Sequence, residues 1–402
     1  MHIALFIRSL AGSGAERTLA DMANALAARG HKVDLVLGRA KGPFLKEVSP
    51  AVRIVDLKTI TMVEAIPALM TRPGDLKALL PVLLDPKGPW VMGSVGRLAR
   101  YLRAARPAVL LSALDYGNIA ALCATDLSSA GTPVVIGQHC QFTQDVRNAR
   151  KRRVRKLPPL VRRFYPRADA IIAVSDGVAD DLSEATHIPR QRITTVYNPV
   201  VTPDLPARAQ EPLDHPWFAP GAPPALIGVG KLKPQKDFPT LFRAFAQVRR
   251  VRPVRLLILG EGPERQRLEE LATTLGIASD LDMPGFVANP FPYMARASAF
   301  VLSSAFEGLP SVLIQALACG CPVVSTDCPS GPAEILSNGA YGPLVPVGDP
   351  DALAKAVLAV LDNPPDRERL LARANAFNVD ASVNDMLAVL QRAASREHAP
   401  NK

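Results

Sequence analysis

Short apolar runs alternate with amphipathic helical patterns along almost the whole chain of 402 residues. The helical pattern ERTLADMANALAARG, for example, ends at Gly30 and repeats apolar residues at helical spacing, at Leu19, Met22, Ala23 and Leu26. The apolar runs are HIALFIR, KVDLVLG, PAVLLSA, PVVIGQ, DAIIAVS and ITTVYNPV, then ALIGVGKL, VRLLILG, DLDMPGF, SAFVLSS, CPVVSTD and GPLVPV. Strands that alternate with helices form βαβ crossovers, so the sequence predicts an α/β fold with doubly wound parallel sheets.

A proline-rich segment interrupts this rhythm near the middle of the chain. Residues 201–224 are crowded with prolines and show no periodicity, which is typical of an interdomain linker. We therefore predict one doubly wound domain over residues 1–200 and a second over residues 225–380, followed by a helical tail. The apolar, proline-interrupted pattern of residues 58–100 indicates helices inserted into the first domain.

Cysteine usage and hydropathy exclude several classes of protein. The five cysteines are odd in number and show no C-x-x-C spacing, which argues against a disulfide framework or a structural zinc site. No stretch approaches 18 uninterrupted apolar residues, and the apolar run in MHIALFIRSL is too short for a signal peptide. We expect a cytoplasmic protein that is soluble or bound peripherally at the inner face of the membrane.

The net charge of +10 is concentrated in one segment. Residues 147–163, RNARKRRVRKLPPLVRR, hold nine basic residues and no acidic one. Such a run suits a solvated helix face, a nucleic-acid patch or a contact with anionic lipid. The segment lacks interleaved aromatic residues for base stacking, which weighs against nucleic acid.

Two glycine turns each follow a predicted strand and open a helix. GSGAER (12–17) and GEGPER (260–265) carry arginine where a dinucleotide fingerprint has its third glycine. Asp34 lies at about the right distance after the first turn for such a fingerprint, so a dehydrogenase remains an alternative. The other interpretation is that both turns bring backbone N–H groups to a ligand beyond the strand ends.

Polar side chains follow several other predicted strands. Lys231 and Lys236 come after ALIGV, where two lysines either hold a diphosphate or are simply solvated. His139 and, with weaker support, Asp115 follow strands of the first domain, and a lone histidine is often structural. Glu307 follows SAFVLSS and either caps the next helix or meets a ligand. No DxD-like acidic pair indicates a metal site.

Together these segments resemble the retaining GT-B glycosyltransferases of family 4. The resemblance covers nearly the whole chain and is strongest in GVGKLKPQKDFPTLFRAFA, GEGPER and FVLSSAFEGLPSVLIQALACGCPVVSTDCPSGPAEIL. It is fair in IRSLAGSGAERTLADMANALAARGHKVDLV and in DAIIAVSDGVADDL with ITTVYNPV. The order and spacing of these pieces are highly specific.

The resemblance implies a GT-B fold, with two Rossmann-like domains facing a cleft and a C-terminal helix, residues 381–402, that crosses back to the first domain. It implies a nucleotide-sugar donor held by the second domain and an acceptor held by the first. It also implies retention of the anomeric configuration, with neither a metal nor another cofactor.

Site residues carry over by position. Lys231 and Lys236 would bind the donor phosphates, His139 would contact the donor sugar, and Glu307 would accept hydrogen bonds from sugar hydroxyls. The remaining donor and nucleotide contacts would come from Gly14, from Gly285, Phe286 and Val287, and from Leu309, Pro310 and Ser311. Gln315 stands where the family has a second glutamate that binds the ribose. An amide still forms hydrogen bonds there but lacks the strength of a charged partner.

The resemblance thus implies an enzyme that moves a hexose-type sugar from a UDP- or GDP-sugar to a lipid-linked or glycan acceptor in cell-surface glycan synthesis. The basic run 147–163 would dock it on anionic membrane, and we expect no nucleic-acid partner. The alternative is a catalytically weak sugar-nucleotide-binding protein of the same fold, which Gln315 favours.

Overall fold

The computed structural model describes residues 1–149 and 151–395 and divides the chain into two compact units. The first unit consists of Met1–Pro199 and the chain from Asp380 onward, and the second is Val200–Val379. Each unit contains one parallel sheet flanked by helices. The prediction of an α/β fold with two doubly wound sheets is confirmed.

The first unit has a seven-stranded sheet in the order β3-β2-β1-β4-β5-β6-β7. Its strands are β1 (His2–Ile7), β2 (Lys32–Leu37), β3 (Val52–Asp56), β4 (Val109–Ala113), β5 (Val134–Gln138), β6 (Ala170–Ala173) and β7 (Ile193–Thr195). The central strands β1, β4 and β5 are buried along almost their whole length, as expected when helices cover both faces of a parallel sheet.

The described residues up to Pro199 form the following helices around this sheet. They are α1 (Gly14–Ala28), α2 (Ala65–Leu69), α3 (Pro73–Leu83), α4 (Val95–Ala105), α5 (Asp115–Ser128), α6 (Phe142–Arg147), α7 (Arg152–Arg155), α8 (Leu157–Phe164) and α9 (Asp176–Thr186). Short 3-10 turns lie at Pro43–Glu47, Met62–Glu64, Trp90–Ser94, Tyr165–Arg167 and Arg190–Arg192. Helices α2, α3 and α4 account for most of the pattern between residues 58 and 105.

The second unit has a six-stranded sheet in the order β10-β9-β8-β11-β12-β13. Its strands are β8 (Ala225–Val229), β9 (Arg255–Leu259), β10 (Leu281–Gly285), β11 (Ala299–Leu302), β12 (Val323–Thr326) and β13 (Leu344–Val345). Its helices are α10 (Leu205–Ala209), α11 (Phe238–Val251), α12 (Arg265–Thr274), α13 (Phe291–Arg296), α14 (Ser311–Ala318), α15 (Pro332–Ile335), α16 (Pro350–Asp362) and α17 (Arg367–Ala374). Short 3-10 turns lie at Pro216–Phe218, Pro234–Lys236, Ala278–Asp280 and Asn375–Phe377.

The structure places the proline-rich segment, which we predicted to be an interdomain linker, within the second unit. Helix α10 lies in this segment, and Arg208 stacks over the ring of Phe291 at 4.6 Å from its centroid. His215 bonds Asp282 at 3.1 Å. Prolines therefore interrupt regular structure here, but side-chain contacts hold the segment against the rest of the second unit.

The C-terminal helix α18 (Val379–Ser395) continues from the second unit into the first. Arg29 in the first unit donates a hydrogen bond to the Asp380 carboxylate at 2.6 Å and another to Asn384 at 2.8 Å. The predicted helix over 381–402 includes residues 396–402, which lie outside the described residues, as does position 150 of the basic run. Among the helices of residues 1–149 and 151–395, none is both long and apolar enough to cross a membrane.

Candidate functional site

The strand order of each sheet indicates where its ligands bind. In open α/β sheets, ligands bind beyond the carboxyl ends of the strands, at the point where the strand order reverses. In the first unit this point lies between β1 and β4, and in the second it lies between β8 and β11. The loops after these four strands are therefore the candidate binding positions of the two units.

In the second unit, Lys236 and Glu307 meet at this point. The Lys236 Nζ donates a hydrogen bond to the Glu307 Oε1 at 2.6 Å, and the Ser304 hydroxyl donates to the same oxygen at 2.6 Å. The Lys236 and Glu307 side chains are only 13% and 9% exposed, respectively. A buried ion pair needs further hydrogen bonds to offset its loss of hydration, and the Ser304 hydroxyl supplies one here.

Backbone and side-chain hydrogen bonds join these two loops. The Ala305 amide donates to the Gln235 carbonyl at 2.8 Å, and the Gln235 side chain donates to the Phe306 carbonyl at 2.7 Å. The Ser303 hydroxyl donates to the Lys236 carbonyl at 2.8 Å. The loop after β8 and the loop after β11 thus form one ordered support for the ion pair.

Lys231 does not contact the Lys236–Glu307 pair through a hydrogen bond or an ion pair. It is the second residue after β8, it is exposed, and its side chain has no hydrogen bond or ion pair with any described residue. The next residue, Leu232, bonds through its backbone to Glu261 and Glu264 in the loop after β9. The structure therefore brings Lys236 to Glu307 and leaves the Lys231 ammonium free at the same edge of the sheet.

Three glycines lie at the carboxyl ends of three neighbouring strands of the second sheet: Gly230 follows β8, Gly260 follows β9, and Gly285 is the last residue of β10. The Gly260 amide donates to the Gly285 carbonyl at 2.8 Å, and a Cβ on Gly260 would lie 1.9 Å from the Gly230 carbonyl oxygen. Only glycine at position 260 permits this close approach of the chain after β9 to the chain after β8. Beyond Gly285, the Phe286 side chain is 78% exposed and Val287 is half-buried.

The start of α14 lies close to the loop that follows β12. Leu309 is buried, Pro310 occupies the N-cap position, and the helix begins at Ser311. A Cβ on Gly331 would lie 2.5 Å from the Pro310 ring, and the Glu307 amide donates to the Pro329 carbonyl at 3.1 Å. About one turn into the helix, Gln315 is half-buried, and its side-chain amide has no partner among the described residues.

In the first unit, His139 follows β5 and its ring is turned into a small cavity. Burial lowers the pKa of His139 to about 4, so the ring is neutral at pH 7. Its Nδ1 is buried and has no hydrogen-bond partner among the described residues. The cavity lining also includes Thr18, Ser112 and Asn198. An unpaired ring nitrogen at a strand end fits a side chain that binds a ligand or an ordered water.

Gly14 is the first residue of α1, directly after the loop that follows β1. A Cβ on Gly14 would meet no atom within 4 Å, so this position borders open space. Ser13 and Glu16 form a capping box at the start of the helix. The pattern S-x-x-E within GSGAER is the sequence signature of such a capping box.

Glu16 is a buried residue that sequence reasoning missed. It is fully buried and accepts hydrogen bonds from the Arg8 Nε at 3.0 Å, the Ser9 hydroxyl at 3.3 Å and the Ser13 amide at 2.8 Å. Burial acts to raise the pKa of Glu16, but the bonds from Ser13 and Arg8 outweigh it and lower the pKa. The carboxylate therefore fixes Arg8 at the carboxyl end of β1.

Asp115 belongs to a second buried network of this unit. The Tyr165 hydroxyl lies 3.1 Å from the Asp115 carboxylate and 3.3 Å from the Gln138 side-chain oxygen, and it accepts a hydrogen bond from Asn118 at 3.0 Å. Burial raises the pKa of Asp115. The preceding residue, Leu114, has a positive φ of 71°, which is a strained conformation for leucine.

The described part of the chain contains no group of three or more histidine, cysteine, aspartate or glutamate side chains placed to hold a metal ion.

Comparison with known proteins identifies the family. The model of the glycosyltransferase family 4 matches residues 12–203, and that of the glycosyl transferases group 1 matches residues 210–377. The chain is 30% identical over 235 residues to N-acetylgalactosamine-N,N'-diacetylbacillosaminyl-diphospho-undecaprenol 4-alpha-N-acetylgalactosaminyltransferase of Campylobacter jejuni. That match covers 58% of this chain and 62% of the relative.

Other relatives and solved structures are similar. Lipopolysaccharide core biosynthesis glycosyltransferase LpsE of Rhizobium meliloti is 31% identical over 210 residues, which are 52% of this chain and 59% of the relative. The chain thus spans less than two thirds of the length of either curated relative. The crystal structure of Anabaena HepE in complex with UDP superimposes with a TM-score of 0.74 at 19% identity, covering 98% of this chain and 100% of that one.

The structural similarity to HepE covers 98% of this chain and therefore includes both sheets. The family 4 model and the group 1 model together match residues 12–203 and 210–377. The chain therefore belongs to the group 1, family 4-like glycosyltransferases of the GT-B fold.

Proposed function

We propose that this chain is a retaining, metal-independent glycosyltransferase that moves a hexose-type sugar from a UDP- or GDP-sugar to a lipid-linked or glycan acceptor in cell-surface glycan synthesis. The observation that carries the proposal is the Lys236–Glu307 pair beyond β8 and β11, with the two side chains 2.6 Å apart. The names of the relatives support the acceptor class, since one acts on a diphospho-undecaprenol and another in lipopolysaccharide core biosynthesis.

The pair offers the two kinds of group that this chemistry needs. An ammonium stabilises the negative charge that develops on a departing diphosphate, and a carboxylate accepts hydrogen bonds from sugar hydroxyls. In the proposed complex, the donor phosphates approach Lys236 and Lys231, while Glu307 orients the sugar. Phe286, exposed beyond β10, provides a face for the nucleobase, and Gln315 provides a neutral partner for the ribose.

His139 would contribute as a neutral hydrogen-bonding group. Because burial holds the pKa of His139 at about 4, the ring carries no charge at pH 7 and is suited to bonding a sugar hydroxyl. We assign no covalent nucleophile. In this proposal the acceptor attacks the sugar on the face that the diphosphate leaves, through a state of oxocarbenium character, and Lys231 and Lys236 stabilise the leaving group.

The first test of the proposed function combines binding and turnover. UDP or GDP should raise the melting temperature of the protein, and the donor that supports turnover should contain the stabilising nucleotide. Product NMR should show the anomeric configuration of the donor, and chelation with EDTA should leave the rate unchanged. Inverted product or complete inhibition by EDTA would contradict the retaining or the metal-independent part of the proposal, respectively. Absence of turnover with every UDP- and GDP-sugar, despite nucleotide binding, would favour the alternative of a binding protein.

A variant of Lys231 tests its phosphate role. We expect Lys231→Ala to lower turnover about tenfold, since a hydrogen bond to a charged group contributes about 1.5–3 kcal/mol and this lysine is exposed. Lys355→Ala, an exposed lysine on α16 of the same unit, is the matched control and should keep the wild-type rate. Equal rates for Lys231→Ala and the control would remove Lys231 from the site.

We also propose that the basic run 147–163 docks the protein on anionic membrane. The structure reduces the number of cations available for this role. Of the described residues in the run, Lys156 pairs with Asp85 at 3.0 Å and Arg163 with Asp75 at 3.0 Å. Arg147, Lys151 and Arg152 are exposed and form no hydrogen bond or ion pair with a described residue, although Arg152 interacts electrostatically with Asp85. At about 1 kcal/mol for each cation near such a surface, these three support weak, reversible binding.

Apolar surface adjoins the run. Lys156 also donates to the Pro81 carbonyl at 2.5 Å, which places the end of α3 beside α7 and α8. Leu84, directly after α3, is 63% exposed. An exposed apolar side chain near the basic run is a combination that suits the interface of an anionic bilayer.

Vesicle co-sedimentation checks this docking surface. We expect binding to phosphatidylglycerol vesicles that falls in high salt and is absent with phosphatidylcholine. The double variant Lys151→Glu/Arg152→Glu should bind at least tenfold more weakly than the control Arg243→Glu/Lys355→Glu, which makes the same charge change on the second unit. Equal binding of the two double variants would show that the run is not the docking surface.

A further inference from the structure

Two cations of the first unit share one aromatic ring. Arg39 and Lys41 follow β2, and both lie over Trp90 of the inserted segment. The Arg39 Cζ is 4.4 Å from the ring centroid, and the Lys41 Nζ is 5.8 Å from it. These contacts hold two positive charges within about 10 Å of each other, a distance at which like charges still repel.

The Arg39 guanidinium is fixed in place. Its Nε donates to the Thr59 carbonyl at 2.5 Å, and one terminal nitrogen donates to the Ile60 carbonyl. A Cβ on the neighbouring Gly38 would lie 3.0 Å from the Trp90 ring, so the loop and the indole are in close contact. A solvated arginine does not need two carbonyl partners and a stacked ring, so this one is pre-organised.

The carboxylates nearest in sequence, Asp34 and Glu47, pair with Arg53 and Arg17, respectively. Asp56 accepts hydrogen bonds from the Ala40 and Lys58 amides, and Glu64 accepts from the Ile60 and Thr61 amides and pairs with Arg97. In the part of the chain that the structure describes, neither Arg39 nor Lys41 forms an ion pair with a carboxylate. Among the described residues, the two cations over the Trp90 ring thus have no ion-pair partner, and the nearby Asp56 carboxylate bonds the Ala40 amide that lies between them in sequence.

Arg8 adds a third cation at the same edge of the sheet. The loops after β1 and β2 are joined by hydrogen bonds from the Arg39 amide to the Arg8 carbonyl at 2.9 Å and from the Leu10 amide to the Lys41 carbonyl at 3.0 Å. The Arg8 Nε donates a hydrogen bond to Glu16, and the two terminal nitrogens of Arg8 have no hydrogen-bond partner among the described residues. The side chain of Arg8 is 42% exposed, so these nitrogens are open to a ligand.

We propose that Arg39, Lys41 and Trp90, with Arg8 beside them, form a subsite for an anionic group carried by the acceptor. The group is a phosphate or a carboxylate, because both accept paired hydrogen bonds from a fixed guanidinium. The cations follow β1 and β2, at the carboxyl edge of the sheet where ligands of such folds bind. The inference rests on the proposed function, together with the expectation from the family resemblance that the first unit holds the acceptor.

Two anionic probes test the subsite in protein saturated with UDP or GDP, whichever raises its melting temperature, so that the nucleotide fills the proposed donor position. The chain has two tryptophans, so Trp217→Phe leaves Trp90 as the fluorescent reporter in the full chain. We expect inorganic pyrophosphate or glucuronate to change the Trp90 emission, and Lys41→Glu to weaken that binding about tenfold or more. Pyrophosphate binding alone indicates a phosphorylated acceptor, and glucuronate binding alone indicates an acidic sugar.

Lys32→Glu is the matched control. Lys32 is exposed at the amino end of β2, so the variant makes the same charge change at the opposite end of the same strand. We expect it to bind the probes like the parent protein. Equal weakening by Lys32→Glu and Lys41→Glu, or no emission change with either probe, overturns the subsite.

The outcomes also separate this inference from the proposed function. Failure of both UDP-sugars and GDP-sugars to bind or react would contradict the proposed function, whereas loss of probe binding in Lys41→Glu would still stand as evidence for an anion site. Conversely, normal turnover with no probe binding to the nucleotide-saturated protein would reject the subsite and leave the glycosyltransferase proposal intact. Melting temperatures of Lys41→Glu and Lys32→Glu should match, which excludes unfolding as the cause.

Discussion

Replacing Glu307 with glutamine should lower nucleotide-sugar turnover by about a hundredfold to a thousandfold, the range expected when one preorganised polar group of an active site is lost. The glutamine side chain keeps the shape of Glu307 but has one oxygen acceptor, and its amino group is a donor. It therefore accepts sugar hydroxyls less well and faces the Lys236 ammonium with a weaker partner. Initial rates with the donor that supports turnover measure the effect.

The same variant should also cost stability, because Glu307 is paired in the structure. Its Oε1 accepts from Lys236 and Ser304, both at 2.6 Å, and the Lys236 side chain is only 13% exposed. Weakening this contact should lower the unfolding free energy by about 1–3 kcal/mol. Glu368→Gln, at an exposed position on α17, is the control and should change neither rate nor stability.

A double-mutant cycle separates structural and catalytic roles. Lys236→Met should lower turnover about as strongly as Glu307→Gln, and the combined variant should recover part of the stability because no buried charge is left unpaired. Activity should not recover with it. If Glu307→Gln loses stability as expected but retains full turnover, the ion pair is purely structural and the proposed site is wrong.

Much of the second unit's site could be predicted from the sequence because its residues follow strands directly. Glu307 comes after the apolar run of β11 and Lys236 comes shortly after β8, so the rule for parallel sheets places both at one edge. What the sequence did not indicate was that they pair with each other. That contact depends on β8 and β11 being neighbours in the sheet, which is a property of strand order.

The first unit was harder to predict, because its polar networks join segments that are distant in sequence. The cluster of Arg39, Lys41 and Trp90 connects the loop after β2 with a 3-10 turn about 50 residues later. Helical patterning indicated that residues 58–100 were inserted helices, but no periodicity shows which loop they contact. Similarly, the Asp115 carboxylate is surrounded by Tyr165 and Gln138 from other elements.

Asp34 shows how sequence distance alone misleads. Its spacing from the glycine turn kept a dinucleotide-binding enzyme open as an alternative. The structure places it in the interior of β2, fully buried, where it accepts hydrogen bonds from Arg53 at 2.8 Å, Tyr101 at 2.5 Å and His2 at 2.9 Å. With both oxygens occupied, Asp34 is unavailable to a ribose, so that alternative is wrong.

The Asp34 network should instead be a large contributor to the stability of the first unit. Burial acts to raise the pKa of Asp34, but the bonds from Arg53, Tyr101 and His2 outweigh it and lower the pKa from 3.8 to about 2. That difference corresponds to about 2–3 kcal/mol of stabilisation at neutral pH. Asp34→Asn should therefore lower the unfolding free energy by about this amount at pH 7, measured by denaturant unfolding.

The stability difference between wild type and Asp34→Asn should decrease as the pH falls. A carboxylate whose pKa is lower in the folded state stabilises the fold above its unfolded pKa, and the contribution is lost as the pH falls toward the folded value. The difference between wild type and Asp34→Asn should thus be constant above about pH 5 and shrink between about pH 4 and pH 2. Hydrogen exchange of the β1 and β2 amides locates the loss in the first unit. Asp385→Asn, at an exposed position on α18, is the control and should leave the unfolding free energy unchanged. If Asp34→Asn changes the unfolding free energy at pH 7 as little as this control does, the hydrogen bonds to the Asp34 carboxylate do not stabilise the fold.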